Sequence, residues 1–580
     1  MNKQLNHKQQ MKQAIKGILF GVCVFSVASV FTACKSDEDS VGTKETVVIG
    51  GEGNTIKITA NEENFQSKPA TRSFFAEPEE RTVNLGNGLT ADVSIEEEEE
   101  DASTRAPKAL DGGGTYRIYA VNPITKQRIE GTHKMLKGTF SNGNFTCTEG
   151  RLILEPGTYK FVCISEGIEF DVFDGEKSIS YGNLTNAMVG VTNEIYLAAT
   201  DPSLDVHFTM KHLCNRVRFK FRTYKQNIPG IKAQLGIISG WVKGHRYPDG
   251  DYMALVDNIF LYPFDIPATA TANTEKGFAP FTATTDYQYF LPHSDGAGCN
   301  IEFTAGSIYG KPLTGKNIDL MGLLNIYWQT NQTRTVVLSL NPTPAYLFSD
   351  GTVGMLEDAN GRTPVGLVVR NKKGNSDNKK KGLAIALTDA GTPPGTEYIW
   401  SLIENTKVND HQADTGADAI ADNDGYHYTW DAMQGHTKAN EEANFPAFYH
   451  AAHYSPVVTI TGTNVSKWFL PSIGEWMSFF KTFKYTYTIP PAGGYTQIDL
   501  AGGPSRATIN QFFTQAGGTD FYALLGGGIG YYAFHTSSEF SPGLGGCWFV
   551  DTRDAGYFGI INGTVRQDPG DMHIRSFVHF

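Results

Sequence analysis

Residues 215–223, NRVRFKFRT, put Val217, Phe219 and Phe221 on one side of an extended chain and Arg218, Lys220 and Arg222 on the other. A repeat of two marks a strand with one face in a core and one in water, and it excludes an amphipathic helix over the same residues. LTADVSI (89–95) follows the same rule: Leu89, Ala91, Val93 and Ile95 alternate with Thr90, Asp92 and Ser94. TYRIYAV (115–121), NEIYLA (193–198) and TRTVVLSL (333–340) are further strand-like runs. RLILEPGTYKFVCIS (151–165) reads as strand, Pro156-Gly157 turn, strand. No long helical period interrupts residues 79–344, so antiparallel β-sandwiches are predicted there.

A chain of 580 residues suggests about three domains. The first two are predicted over 79–200 and 201–344, with NPTP at 341–344 marking the second boundary. Residues 345–580 differ in texture, with longer loops and more Trp, His and Gly. LPSIGEWMSFFKTF begins with Pro471 and Ser472 and then spaces Ile473, Trp476, Phe480 and Phe483 as one helix face. KKKG near 379 reads as a solvated loop. The net charge of −12 argues against a nucleic-acid partner, because phosphate contacts need a basic face. The seven cysteines show no CxxC and no framework spacing. Buried free thiols are the expected state of those beyond residue 34, with a Cys147–Cys163 bridge left open.

The N-terminus carries Lys3, Lys8, Lys12 and Lys16, then an apolar run over 17–33 that ends in small residues. This is the layout of a secretory signal. FTAC, with Thr32 and Ala33 before Cys34, resembles a bacterial lipobox. The resemblance implies cleavage between Ala33 and Cys34 and acylation of Cys34, which would hold the chain to a membrane through buried acyl methylenes. KSDEDS, directly after it, resembles the export signal of surface lipoproteins in Bacteroidota. Residues 34–78 are then expected to be a tether, with a short strand at NTIKITA.

Five features resemble the fimbrillin family of Bacteroidota pilus subunits: the lipoprotein start, LTADVSI, STRAP (103–107) leading into TYRIYAV, EPGTYKFV read as a hairpin, and FTMKHLCNRVRFKFR opening a second domain. That resemblance implies two tandem transthyretin-like sandwiches. It also implies a precursor from which an Arg/Lys-specific protease releases the first strand, so that a neighbouring subunit can insert a donor strand. The scissile bond would be Arg105–Ala106, the released strand about 83–95, and the acidic residues 96–101 part of the exposed linker over 96–105. Arg72 in ATRS is a second candidate. A sandwich missing a strand exposes unpaired backbone groups and an apolar groove, which a donor strand would fill.

Residues 345–580 resemble the C-type-lectin-like domains of bacterial surface proteins, close to the formylglycine-generating-enzyme-like group. The marks are WFLPSIGEW, YAFHTSSEF, CWFVDTRDAGYFG and the closing HIRSFVHF. An α+β domain is therefore expected after a mainly β first part. The calcium-binding sugar triplets of that family are missing, and Cys547 has no cysteine partner in this region for formylglycine chemistry. DNDG (422–425) reads as a turn, and His450 and His453 as ordinary histidines, so no metal or cofactor is expected. Ser537, Ser538 and Glu539 have no nucleophile elbow around them, and Glu539 reads as a buried acceptor; catalysis is not expected. Aromatic side chains remain as binding candidates: Tyr428, Trp430, Tyr532 and Trp548.

The expected function is the tip subunit of a donor-strand-assembled pilus, with adhesion to a host or bacterial surface glycan or protein through the last domain. The chain ends at RSFVHF inside that domain, so it would accept a strand without donating one. The alternative is a surface-anchored lipoprotein that binds glycan or protein and never polymerises.

Overall fold

The closed sheet of the first region starts inside the segment expected to be a tether. β1 (Val47–Ile49) pairs with β8 (Asn144–Leu154), and β2 (Lys57–Glu62) runs parallel to Asp205–His212 over six residue pairs. Between them lie β7 (Lys134–Ser141), β6 (Tyr116–Val121), β9 (Gly157–Ser165) and Met188–Val191, in the order β8, β7, β6, β9, Met188–Val191, Asp205–His212, β2. The circuit closes where Thr59 of β2 faces Asn144 of β8, and β5 (Lys108–Ala109) pairs with the C-terminal end of β2. The computed structural model describes residues 46–50, 56–66, 81–96, 108–111, 113–166, 168–170, 177–179, 185–198, 204–226, 230–239, 245–246, 252–253, 258–267, 271–272, 274–290, 299–324, 330–391, 398–403, 406–491, 496–521, 533–540, 546–552, 558–563 and 572–580.

Besides the strands inside the expected tether and the parallel pairing of β2 where antiparallel pairing is predicted, two further expectations change in this region. Asp205–His212 belongs to the first sheet, because its alternation turns Val206, Phe208 and Met210 into the core with Ile118, Leu136 and Phe161. The boundary therefore falls near Cys214, not at 201. The Pro156-Gly157 turn is also not a hairpin: β8 pairs with β7, and β9 pairs with β6, so the turn joins strands that are not neighbours.

The second region has two sheets over a shared core. Asn215–Thr223 alternates strictly between buried and half-buried positions and runs parallel to Thr333–Pro342. Thr333–Pro342 in turn pairs antiparallel with β4 (Leu89–Glu96), and β4 pairs with β3 (Arg81–Gly86). The facing sheet contains Lys232–Ser239 between Asn258–Asp265 and Cys299–Ala305. The predicted first strand of the N-terminal domain, about 83–95, thus lies in the second region. Leu89, Ala91 and Val93 are fully buried there with Phe219 and Leu338. Pairing pattern cannot choose between two sheets of the same grammar; the side chains that receive the apolar face decide it.

In residues 345–580 one sheet joins Tyr346–Phe348, Pro364–Arg370, Leu383–Ala386 and Phe577–His579. A second joins Gln497–Gly502, Phe558–Gly563, Cys547–Asp551 and Ala533–Glu539. The predicted helix forms over Ile473–Thr482. Glu475 reaches back to accept from the Ser472 N–H (2.8 Å) and Ser472 Oγ (3.0 Å), which satisfies the first turn. Trp476 and Phe480 are completely buried, as their spacing predicts.

The first sheet of this third region is buried on both faces. Tyr346, Phe348, Leu367, Leu383 and Phe577 point to the core around Trp476. Leu347, Val368, Ala384 and Val578 point to the core that holds Leu89 and Val93 of β4. The second and third regions therefore share one hydrophobic core, and residues 47–580 form one compact unit.

Candidate functional site

β2 is the strand by which the first sheet closes. Its ladder is continuous: Lys57 N–H donates to Leu204 O (2.9 Å), Ala60 N–H to Gly143 O (2.8 Å), and Leu110 N–H to Ala60 O (3.0 Å). Its apolar content is small, since only Ile58 and Ala60 are buried. Most of its hold is main-chain pairing, which any extended segment can replace.

Polar contacts fix its end. Glu62 pairs with His212 at 3.0 Å, and that hydrogen bond holds the Glu62 carboxyl below the ordinary range despite partial burial. Phe65 stacks on His212 at 4.3 Å between ring centroids, and the Arg216 guanidinium lies 4.4 Å over the Phe65 ring. Gln66 donates its N–H to Asn331 O (2.8 Å) and accepts from Thr333 N–H (2.9 Å), tying the segment after β2 to the second region.

β4 is held differently. Eight residue pairs join it to Thr333–Pro342. Asp92 is buried and accepts from Asn341 Nδ2 (2.7 Å), Asn371 Nδ2 (3.3 Å) and the Thr82 hydroxyl. At its far end Glu96 pairs with Lys220 (2.9 Å). A cut at Arg105–Ala106 would leave β1 to β4 as one piece threaded through both β regions. A cut at Arg72 would separate β1 and β2 from everything after them. Cys34 with Ala33, Arg72, and Arg105 with Ala106 all lie outside the described residues.

The three described aromatic candidates, Tyr428, Trp430 and Trp548, do not converge on one surface site. Trp548 is wholly buried, donates its indole N–H to Ala413 O (2.8 Å) and packs edge-on to Phe540. Tyr428 is buried beside Ala390, Trp400 and Phe445. Trp430 is half-buried, donates to Trp468 O (2.8 Å), and carries the Lys467 ammonium 4.1 Å over its ring. Tyr532 lies outside the described residues. Trp548 and Tyr428 are core side chains, wide flat groups that fill space between packed elements.

Other singled-out residues are structural. Glu539 is buried and accepts from Val408 N–H, Asn409 N–H (2.6 Å) and Gln412 Nε2, so it pins the loop at 408–412. Asp422 accepts from Ser538 Oγ (2.6 Å), and burial pushes its carboxyl up to about 6. His450 contacts Glu442 (3.2 Å) and stacks on Tyr398, while His453 stacks on Tyr449, so the two do not converge. Cys147, Cys163, Cys214, Cys299 and Cys547 are free thiols, with Cys163 fully buried. Among the described residues no group of three metal-ligating side chains comes together.

Sequence reasoning passed over one cluster. Arg370, Lys379 and Lys481, far apart in the chain, line a common cavity beside Asp92. Of these residues only Lys379 belongs to a sequence signal, the KKKG run, which by itself reads as a solvated loop.

No protein-family model and no curated protein matches this chain. Among solved structures, the fimbrial anchor protein Mfa2 from Porphyromonas gingivalis is 10% identical over 50-odd percent of this chain (54%) and 96% of its own, with a TM-score of 0.27. A fimbrial protein from Bacteroides ovatus is 11% identical over 91% of this chain and 99% of its own, with a TM-score of 0.24. Similarity of this degree carries no argument about fold or function.

Proposed function

We propose that this chain is an exported, Cys34-acylated fimbrial subunit that accepts a donor strand from a neighbouring subunit in place of β2, and that adheres through its third region. The observation that supports strand acceptance is the position of β2: it closes a β sheet through main-chain pairing while burying only Ile58 and Ala60. Removing it leaves the open edges of Asp205–His212 and β8 with unpaired backbone groups, the kind of cleft a donor strand fills. The cut that frees it falls between β2 and β3, at Arg72. The sequence-based choice of Arg105 is less suitable, because it would also require extraction of β4 from the second core.

Phe577–His579 pairs with Leu383–Ala386 and buries Phe577 and Val578 on opposite faces, so this strand is built into the third region and is not itself a detachable donor. The chain acts by binding, with adhesion to a glycan or protein assigned to the region that resembles C-type-lectin-like domains.

The second reading, a surface-anchored protein that keeps all its strands, is favoured by the contacts of Phe65 and Gln66 that tie β2 to the second region. Limited trypsin digestion of the folded full chain separates the two. Intact mass is followed while a labelled peptide of residues 46–66 is offered. The fimbrial reading expects loss of the segment ending at Arg72 and stable uptake of the peptide. Retention of the clipped segment with no uptake leaves only the anchored protein.

A further inference from the structure

A cavity of about 700 Å³ separates the β3–β4 hairpin from the strand Pro364–Arg370 and the helix Ile473–Thr482. Thr82 and Asn84 of β3 and Thr90 and Asp92 of β4 form one wall. Gly474, Ser478, Lys481 and Thr482, spaced as one helix face, form another. Val368, Val369 and Ile420 contribute an apolar floor. The walls do not hinge freely, because Val368 and β4 share one core.

Its charge is one-sided. Arg370, Lys373, Lys379, Lys481 and Lys484 line it, and Asp92 is the sole carboxylate among the described lining residues. Asp92 is already engaged by Asn341, Asn371 and Thr82. Arg370 is held rigidly at the back, donating to Asn378 O (2.7 Å), Lys381 O (3.1 Å), Asn423 Oδ1 (3.2 Å) and Ser478 Oγ (3.4 Å). None of these partners is an anion. Lys484 donates to Asn84 Oδ1 (2.7 Å) and so links the two walls. Partial burial, then Arg370 and Lys379, hold the Lys481 ammonium below its ordinary value, while Glu475 and Asp377 act on Arg370 from outside the lining. This happens in a chain whose net charge is −12, so composition does not explain it.

The lining selects among anions. Among the described lining residues none is aromatic, so they offer no stacking face of the kind a nucleobase needs. The lining offers instead the Thr90 hydroxyl and the acceptor oxygens of Thr82, Asn371 and Thr482, whose donors are engaged by Asp92 and Val369, next to the cations, a set suited to sugar hydroxyls around an acidic group. The volume lies within the range of small-ligand sites, about 300–1,000 Å³.

We propose that this cleft between the β3–β4 hairpin and the third region binds an acidic saccharide, one or two sugar units carrying a carboxylate or a sulfate. The assignment rests on the recognition half of the proposed function and is independent of strand exchange, which is measured separately on the same preparation. Failure here with intact strand uptake removes the cleft and leaves the fimbrial reading standing.

The test is calorimetric titration of the full chain with a galacturonic acid disaccharide and a sulfated galactose disaccharide, which distinguish the two acids. Neutral digalactose, inorganic sulfate and a Glu-rich peptide are titrated beside them. Lys379→Glu and Lys481→Glu are suitable variants, since both residues retain contact with solvent and melting curves report their folding. At least one acidic disaccharide is expected to bind, and each substitution is expected to weaken it at least about tenfold with the melting curve unchanged. The proposal is overturned if neither acidic disaccharide binds, if digalactose or sulfate binds as tightly, if the Glu-rich peptide binds more tightly than both, or if binding survives both folded variants.

Discussion

Strand release should differ sharply between cuts at the two candidate loops. The perturbation is a single recognition sequence for a specific protease, placed in the full chain either at Arg72 or at Arg105. The fragment ending at Arg72 buries Ile49, Ile58 and Ala60. The fragment ending at Arg105 buries these and also Leu85, Leu89, Ala91 and Val93. Contacts of β1, β2, Phe65 and Gln66 are common to both and cancel. Leu85, Leu89 and Val93 at about 1.5–3 kcal/mol each add roughly 5–9 kcal/mol to the hold on the longer fragment, before its eight-pair ladder is counted. At 1.4 kcal/mol per tenfold, this is roughly four to six powers of ten in the dissociation constant. Each clipped protein is incubated with a labelled peptide of residues 46–66, and fragment loss is followed by size exclusion and intact mass. The shorter fragment should exchange within the experiment while the longer one stays. Equal rates of loss, or faster loss of the longer fragment, would refute the argument that apolar burial of β4 decides which piece can leave.

Ile58→Ala removes the largest buried side chain of β2 and should speed exchange of the shorter fragment about tenfold or more, read in the same peptide assay. Glu539→Gln leaves the Val408 and Asn409 amides facing a group with one acceptor fewer; hydrogen exchange at these amides should rise, with about 1.5–3 kcal/mol lost from the stability of the third region. Asp422 has a folded-state pKa near 6, above its unfolded value, so its contribution is full below about pH 4 and is lost as pH rises through 6. Melting of Asp422→Asn and wild type should therefore differ in pH dependence between pH 4 and 7, by up to about 3 kcal/mol, with wild type the one that weakens as pH rises. Among the five thiols of the described region, a thiol reagent should modify Cys147 first in the native state, because the other four are buried, and a second equally fast thiol would contradict the packing.

Local grammar was legible from the chain alone. The alternation in Asn215–Thr223 and in Leu89–Ile95 reports that each segment has one apolar face, and both are strands. Ser472, Glu475 and the Trp476–Phe480 stripe likewise announce a capped helix with one buried side. These signals act over three or four residues, so sequence suffices for them. Which sheet receives an apolar face is a different kind of fact. Leu89–Ile95 would suit either β core by its own pattern, and only Phe219, Leu338 and the eight-pair ladder place it in the second region. The same holds for Val206, Phe208 and Met210, which the first core claims from the segment assigned to the second. Trp548 and Tyr428 looked available for binding because composition counts aromatic side chains without saying which are enclosed. The basic cleft was beyond reach for the same reason. Arg370, Lys379 and Lys481 lie on a strand, a loop and a helix, and their charges add up only because tertiary packing sets them around one cavity, over distances that no sequence spacing encodes.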